Sequence, residues 1–282
     1  MIRNYMSVFQ DDNFEGVEAP VSAQPFYTEG FVHLVDKDDA TLLCRDLSSI
    51  RIPVHMVSKH KLGMGDWIEC KVAYNTGVKR HLVSEIEKIK SVAFDEAPCL
   101  APSTKVKLNN KDIKLGSRVI LRSEDKLTTM TDIRIEGAAI EKIALVMDEG
   151  DYCVNTLLRA GFNHVFFAKP EIGLRKQIAN VLFALFHAKR EAASGKNVLF
   201  FIESLTKLVR LYGKVMQKDE DGMLDSSQTF VGAIEDVKTL YLSARQLDGS
   251  GSLTCIGLAQ DARTPTDELY MAEFLEAANF VL

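Results

Sequence analysis

The chain has 282 residues, of which 46% are hydrophobic, and this length suits one large core or two unequal ones, so we expect two domains. Its formal net charge is −5, with 11 Lys and Arg against 13 Asp and Glu in residues 1–90 and 23 against 26 in the remainder. Neither part is basic, which argues against strong nucleic-acid binding, because cations that neutralise phosphates supply most of that affinity.

The sequence lacks the patterns of membrane insertion, secretion and metal binding. It has no run of about eighteen apolar residues and no apolar core of a signal peptide, so we expect no membrane segment and a cytoplasmic location. The five cysteines are scattered and form no CxxC pair, which argues against both a disulfide framework and a zinc site. His55 and His60 have no neighbouring residues that would complete a ligand set. We therefore predict no metal site.

The first part of the chain predicts a tail followed by a small barrel. Residues 1–25 are polar and without periodicity, and we expect a flexible tail there. Residues 26–90 hold five short runs rich in Val, Ile, Leu and aromatic residues, separated by turn signals. These runs are GFVHLV, ATLLC, SIRIPV, DWIECKVAY and HLVSEIEKI. Five short strands in about 65 residues predict an all-β barrel of the OB or cold-shock type.

The second part predicts an α/β domain. Residues 91–104 include FDEAPCLAPS, whose prolines predict a linker. In residues 105–282, apolar runs alternate with segments of helical period, which is typical of a parallel sheet covered by helices. The runs are RVILRS, IALVM, HVFFA, VLFFI, LTCIGL and ANFVL. The clearest helix begins at Leu174 and is closed by Gly195.

Several blocks of this chain resemble the Rho family of bacterial transcription termination factors. SIRIPVHMVSKHKLGMGDWIECKV is similar to part of Rho's RNA-binding barrel, and FFIESLTKLVRLY resembles its Walker B strand and the helix that follows. SARQLDGSGSLT resembles the segment with Rho's arginine finger, and DELYMAEF resembles a Rho helix that begins Asp-Glu. The resemblance covers about residues 28 to 282. It implies an OB-type barrel followed by a RecA-like motor domain of the P-loop NTPase type, assembled into a hexameric ring.

The segment at the position of Rho's phosphate loop is RSEDKLTTM, which contains no glycine. A phosphate loop needs glycines, because they let successive backbone N–H groups turn toward the phosphates, and it ends in a Lys and a Ser or Thr. Here Glu124 and Asp125 stand where an anion would bind. Lys126 with Thr128 or Thr129 is the candidate Lys-Thr pair of a degenerate nucleotide and magnesium site, with the register left open, and a solvated turn is the favoured reading.

Three further positions carried over from the resemblance belong to Rho's catalytic site. Rho's magnesium-binding Walker B Asp corresponds to Glu203, whose longer side chain moves the carboxylate by about one C–C bond. The water-activating Glu corresponds to Glu149, and the arginine finger corresponds to Arg245, for which a plain salt-bridge role is equally open. We expect both positions to be vestigial and expect no cofactor; ATP and Mg²⁺ would bind only if the altered loop still works.

The RNA-binding positions also depart from the Rho pattern. On the strand ATLLCR, Thr41 and Leu43 replace Rho's stacking aromatics and only Arg45 is kept. Losing two stacked bases removes about 2 to 6 kcal/mol of binding free energy. The other candidate RNA contacts are Arg51, Lys59 and Lys61, while Trp67 is expected to pack in the barrel. The stretch that matches Rho's RNA-gripping pore loop, KVMQKDEDGMLDSSQ, carries four acidic residues.

These departures lead to three hypotheses. The first is a Rho-like pseudo-ATPase that keeps the two-domain fold and acts as a binding or regulatory module through weak single-stranded RNA binding, Rho itself or another protein. The second is an active RNA-dependent ATPase or helicase that terminates transcription with a non-standard phosphate loop. The third is a structural protein that uses the α/β surface only to form homo-oligomers.

Overall fold

The computed structural model describes residues 24–36, 39–91, 94–95, 97–101, 104–123, 125–136, 139–147, 151–219, 226–248, 251–259 and 264–282. The chain divides into two compact units, Met1–Ala93 and Phe94–Leu282. The tail predicted for residues 1–25 lies outside the described residues except for its last two. None of the described helices combines the length and the apolar character needed to cross a membrane.

The first unit contains a closed five-stranded β-barrel. Its elements are β1 (Phe26–Asp36), β2 (Asp39–Cys44), β3 (Ser49–Ile52), α1 (Val54–His60), β4 (Trp67–Asn75) and β5 (Arg80–Lys90). β1 pairs with both β2 and β4, while β3 pairs with β5, so the sheet closes in the order β1-β2-β3-β5-β4. All five strands predicted from the sequence are therefore present.

Alternate residues on the barrel strands point into and out of the barrel, because side chains alternate between the two faces of a strand. The inward residues form one buried cluster, which includes Val32, Leu42, Ile68, Cys70 and Val72. Three large side chains at the intervening, outward positions are buried as well, namely Phe31, Leu43 and Trp67. The rings of Phe31 and Trp67 pack edge to face with centroids 4.8 Å apart. Trp67, which was expected to pack in the barrel, is thus buried, but at an outward position.

The second unit is an α/β domain built on one mainly parallel sheet. Its parallel strands are β9 (Arg118–Arg122), β11 (Ile140–Met147), β12 (His164–Ala168), β13 (Asn197–Ile202), β15 (Ser252–Ala259) and β16 (Phe280–Val281). They correspond to the six apolar runs in the sequence. Their order is β12-β11-β13-β15-β9-β16. The helices are α2 (Lys126–Thr131), α3 (Asp151–Arg159), α4 (Leu174–Ala193), α5 (Leu205–Asp219), α6 (Ser226–Tyr241) and α7 (Pro265–Ala277).

Two short antiparallel strands extend this sheet and correct the predicted linker. β14 (Arg245–Leu247) pairs with the first residues of β15, and β9 pairs with the later residues of β15 on the same side. β6 (Cys99–Leu100) pairs with β14. Residues 91–104 therefore do not serve only as a linker, because part of this segment joins the sheet and Phe94 is buried. The prolines that suggested a linker flank the strand.

A second small sheet covers one face of the α/β core. Its strands are β7 (Lys105–Leu108), β8 (Lys111–Lys114) and β10 (Ile135–Glu136), in the order β10-β7-β8. Val106, Leu108 and Ile113 point into the buried cluster that also contains Val146 and Phe201 of the large sheet. The sequence analysis did not predict these strands.

Gly116 sits in the turn between the small sheet and β9, where a side chain would not fit. Its φ is +83°, and a Cβ there would lie 2.5 Å from the backbone N of Gln246. The backbone N–H of Gly116 donates to Thr254 Oγ1 at 2.8 Å. This glycine therefore serves the close approach of the turn before β9 to β14, at the other end of β9 from its connection to α2.

Candidate nucleotide and RNA sites

The candidate nucleotide residues lie beyond one edge of the parallel sheet. β9, β11 and β13 run parallel and end at Arg122, Met147 and Ile202. Lys126 follows the first of these strands and Glu203 follows the last. Ligands of open α/β sheets bind beyond the carboxyl ends of the strands. The structure therefore brings two of the predicted residues to the edge where a nucleotide would bind.

The connection from β9 to α2 is short. β9 ends at Arg122 and α2 begins at Lys126, so only residues 123–125 lie between them. A phosphate loop places about six residues from its first glycine up to its Lys, and these wrap around the phosphate. The connection in this chain is too short for such a wrap, and α2 itself has only 6 residues.

Asp125 occupies the N-terminus of α2 as its cap. Its Oδ1 accepts the backbone N–H of Thr128 at 3.1 Å, and its Oδ2 accepts the Thr128 hydroxyl at 2.6 Å. These hydrogen bonds, the hydroxyl first, hold the pKa of the Asp125 carboxyl below its usual value. The first-turn donors that would face a phosphate are thus turned toward a carboxylate of the chain itself.

The two candidate threonines are both engaged locally. Thr128 bonds Asp125, and Thr129 Oγ1 lies 2.5 Å from Ser123 Oγ. A magnesium-binding hydroxyl must point at the metal and the phosphate. In the structure both hydroxyls are hydrogen-bonded within the chain.

Lys126 and Glu203 form a buried ion pair, so the favoured reading of Lys126 as part of a solvated turn is wrong. The Nζ of Lys126 lies 3.2 Å from Glu203 Oε1, and the two side chains are 8% and 2% exposed. Glu203 Oε2 accepts the backbone N–H of Met147 at 3.0 Å. A buried carboxylate is tolerated when it is paired and hydrogen-bonded in this way.

Lys207 also contacts Glu203, and the sequence analysis did not single it out as a site residue. Its Nζ lies 3.4 Å from Glu203 Oε1 and donates to the backbone O of Met147 at 3.2 Å. Lys207 stands four residues after Glu203, at the start of α5, and this spacing was the available signal. We call Lys126, Glu203 and Lys207 the Glu203 cluster.

Glu149 and Glu124, the remaining acids discussed for this edge, lie outside the described residues. The segment 148–150 follows β11 directly, so Glu149 comes shortly after Met147 in the chain. In the part of the chain that the structure describes, no three His, Cys, Asp or Glu side chains are grouped as a metal shell.

Arg245 lies at the opposite end of the sheet from the Glu203 cluster, next to Leu253 near the start of β15. Its guanidinium stacks over the ring of Phe94 at 5.2 Å and donates to the backbone O of Asp95 at 3.4 Å. Lys189 stands over the same ring at 5.5 Å and binds the Asp95 carboxylate at 2.8 Å. We call Phe94, Asp95, Lys189 and Arg245 the Phe94 cluster. Arg245 is thus held within its own α/β unit.

The candidate RNA residues of the barrel are spread over three elements. Arg45 follows β2, pairs with Glu29 at 2.8 Å and stacks over Trp67 at 5.3 Å. Arg51 is exposed on β3 opposite Thr41. The other two candidates, Lys59 and Lys61, are exposed at the end of α1. Thr41 and Leu43, at the positions of Rho's stacking aromatics, are buried.

The fold is shared with a known class of protein. A solved structure of an ATPase from the type III secretion system of pathogenic bacteria matches with a TM-score of 0.56 and 15% identity, over 73% of this chain and 66% of that one. At this identity the match establishes the fold alone. The chain therefore combines a closed β-barrel with an α/β domain of the ATPase fold.

Sequence relatives specify the family more narrowly. Proteins named transcription termination factor Rho match from Gemmatimonas aurantiaca, with 23% identity over 81% of this chain and 36% of that protein, and from Borreliella burgdorferi, with 23% over 68% and 41%. Rho 1 of Ehrlichia chaffeensis is 30% identical over 82% of this chain and 63% of its own length. No family model matches. The resemblance is thereby confirmed, and the chain is a divergent Rho-like protein that spans about two fifths or less of the first two relatives.

Proposed function

We propose that this Rho-like protein does not hydrolyse ATP and acts in the cytoplasm as a binding or regulatory module in transcription termination. Candidate partners are single-stranded RNA, bound weakly by the barrel, Rho itself or another protein. The observation that carries the proposal is the connection from β9 to α2. Only residues 123–125 separate the strand from the helix, and Asp125 fills the helix N-terminus.

A bound phosphate would have to displace the carboxylate of Asp125. That carboxylate accepts two hydrogen bonds from Thr128, and its negative charge repels a phosphate as long as it stays in place. Because α2 has only 6 residues, its dipole contributes little to offset this repulsion. Phosphate binding is therefore disfavoured at the site itself, even before the missing glycines are considered.

The Glu203 cluster disfavours magnesium and ATP for a second reason. Both carboxylate oxygens of Glu203 already accept bonds, from Lys126 and Lys207 on one side and from Met147 on the other. To meet a phosphate, Lys126 would have to leave a buried carboxylate, and breaking a buried pair costs about 3 to 5 kcal/mol. The cations that would otherwise serve a nucleotide are already paired within the protein.

One observation favours the alternative, an active RNA-dependent ATPase. Lys126 and Glu203 do meet at the carboxyl edge of the sheet, which is where a nucleotide and its metal would bind. In that case Lys126 would exchange Glu203 for a phosphate. This alternative requires ATP and Mg²⁺ as ligands, whereas the proposed function requires neither.

The barrel supports the RNA-related part of the proposal, and we infer that it is of the OB type. The closed order β1-β2-β3-β5-β4 with α1 between β3 and β4 supports this inference. Weak RNA binding follows from β2, because Thr41 and Leu43 offer no exposed ring on which a base could stack. Exposed cations remain at Arg51, Lys59 and Lys61.

Calorimetric titration with MgATP separates the two functions. The proposed function predicts no measurable heat of binding for the wild type or for Lys126→Ala. The active alternative predicts micromolar affinity in the wild type that is lost in Lys126→Ala. A titration with that second outcome would contradict the argument, on which the proposed function rests, that Asp125 and the Glu203 cluster disfavour phosphate and magnesium.

A further inference from the structure

The outward face of the small sheet carries an unusual arrangement of lysines. β7 and β8 are antiparallel, and their register places Lys105 directly opposite Lys114. Val106 and Ile113, the neighbouring pair, are buried, so the two lysines point away from the core and are exposed. Like charges directly opposite each other destabilise a sheet. Such a pair is therefore expected to be compensated by an anion.

Further cations surround this pair. Lys107 lies two residues from Lys105 on the same face, and Arg134 precedes β10. Two acids, Asp112 and Glu136, both lie opposite Lys107. We call these exposed residues, four cations and two acids, the lysine face.

The lysine face is only partly neutralised, because its two acids both lie opposite Lys107. Within the described ranges, none of its lysines forms an ion pair, whereas lysines elsewhere in the same unit do. The pairs formed by Lys126, Lys189, Lys196 and Lys238 are examples. In a chain whose net charge is −5, exposed and unpaired cations are thus concentrated at one place.

The hairpin that carries these lysines is fixed before any ligand arrives. Asn109 and Asn110 form its turn with φ of 49° and 65°, values that asparagine tolerates better than most residues. The backbone of Asn109 donates to Arg134 O at 3.1 Å, and its side chain accepts the backbone N–H of Arg134 at the same distance. The lysine face is therefore held on a fixed backbone, which lowers the entropic cost of binding.

From these observations we propose that the lysine face binds the phosphate backbone of a nucleic acid. The face offers no aromatic or large apolar side chain, and protein interfaces need such anchors at their centre. Phosphate contacts need only cations and release counterions, so binding here is independent of base sequence and depends on salt. This surface is separate from the barrel residues, and the proposal does not depend on whether the chain hydrolyses ATP.

The test is binding of the full chain to a fluorescent single-stranded RNA of about 12 nucleotides, measured by anisotropy over a range of salt concentrations. Replacing Lys105→Gln and Lys114→Gln together is expected to weaken binding on the order of tenfold near 0.1 M salt and to lower the salt slope by about 1.4. The matched control, Arg159→Gln with Lys176→Gln, removes two cations from helices elsewhere and is expected to leave binding unchanged.

An opposite change sharpens the test. Asp112→Asn removes an acid from the lysine face and is expected to tighten RNA binding, whereas Glu171→Gln, an exposed acid elsewhere, is not. Melting curves check that each variant is folded. The proposal is overturned if the full chain does not bind RNA, or if the double lysine variant binds as tightly as its control. It is also overturned if polyglutamate binds the lysine face in place of RNA.

Discussion

Glu203 holds two ammonium groups and a backbone N–H at the carboxyl edge of the sheet. In the Rho-like reading of the sequence, its position belongs to a metal-binding Asp. Here the side chain is 2% exposed and its bonds are made within the protein. At this position a carboxylate therefore has a structural role that needs no ligand.

Replacing Glu203 by Gln tests that role. The Gln keeps an acceptor for Met147 but removes the negative charge of Glu203 from beside the buried ammonium of Lys126. We expect the free energy of unfolding to fall by about 3 kcal/mol, as for other broken buried pairs. Urea denaturation measures this loss, and Glu171→Gln provides an exposed control. A loss under about 0.5 kcal/mol, the range of surface substitutions, would contradict the structural role.

Asp125 is exposed, and its contribution to the stability of the fold depends on pH. Its pKa is lowered in the folded protein by the bonds from Thr128. Because the pKa is lowered, the charged carboxylate stabilises the folded protein above the pKa of the unfolded chain, which is 3.8. This stabilisation is lost as the pH falls through the pKa of the folded protein. Asp125→Ala should therefore melt at a lower temperature than the wild type at neutral pH, and the difference should shrink below that range. A difference that stays constant down to acidic pH would show that the charge of Asp125 does not stabilise the cap.

The short strands β6 and β14 depend on the Phe94 cluster. The cations of Lys189 and Arg245 both stand over the ring of Phe94, and Asp95 pairs with both. Beside them, the N–H of Asp248 donates to Pro98 O at 3.0 Å. Cation–π contacts of this type contribute about 0.5 to 2 kcal/mol each. The stretch that follows the barrel is thereby attached to the α/β sheet.

Arg245→Gln should loosen this attachment. We expect faster hydrogen exchange in peptides that cover β6 and β14, including the amide of Asp248, while β11 and β13 keep their protection. Arg159→Gln is the control, since Arg159 lies in the last turn of α3. Unchanged exchange would indicate that Arg245 is free for a different role, such as a contact with a second subunit.

The long elements were predictable because their signals are local. Apolar runs marked the barrel strands and the six parallel strands, and the helical period of α4 with Gly195 after it gave a helix that ends at Ala193. The small sheet was missed because β7 and β8 have four residues each, and five of these eight residues are charged. β6 was missed because a two-residue strand between prolines has no pattern of its own.

The candidate site was only partly predictable, since it depends on strand register over long sequence distances. Lys126 and Glu203 are 77 residues apart, and only the parallel pairing of β9, β15 and β13 brings them together. The Rho resemblance identified both residues, but the sequence alone could not show that they form an ion pair. Arg245 and Asp95 are 150 residues apart, and the sequence analysis did not single out Asp95.

At the scale of the whole molecule, the chain keeps a β-barrel and an ATPase-type α/β fold, and Asp125 caps the helix at the predicted phosphate position. RNA-stimulated phosphate release from ATP, compared between the wild type and Glu149→Gln, tests this account most directly. The account predicts that the two proteins give the same background rate with and without RNA. ATP turnover by the wild type that rises with RNA and is abolished by Glu149→Gln would contradict it.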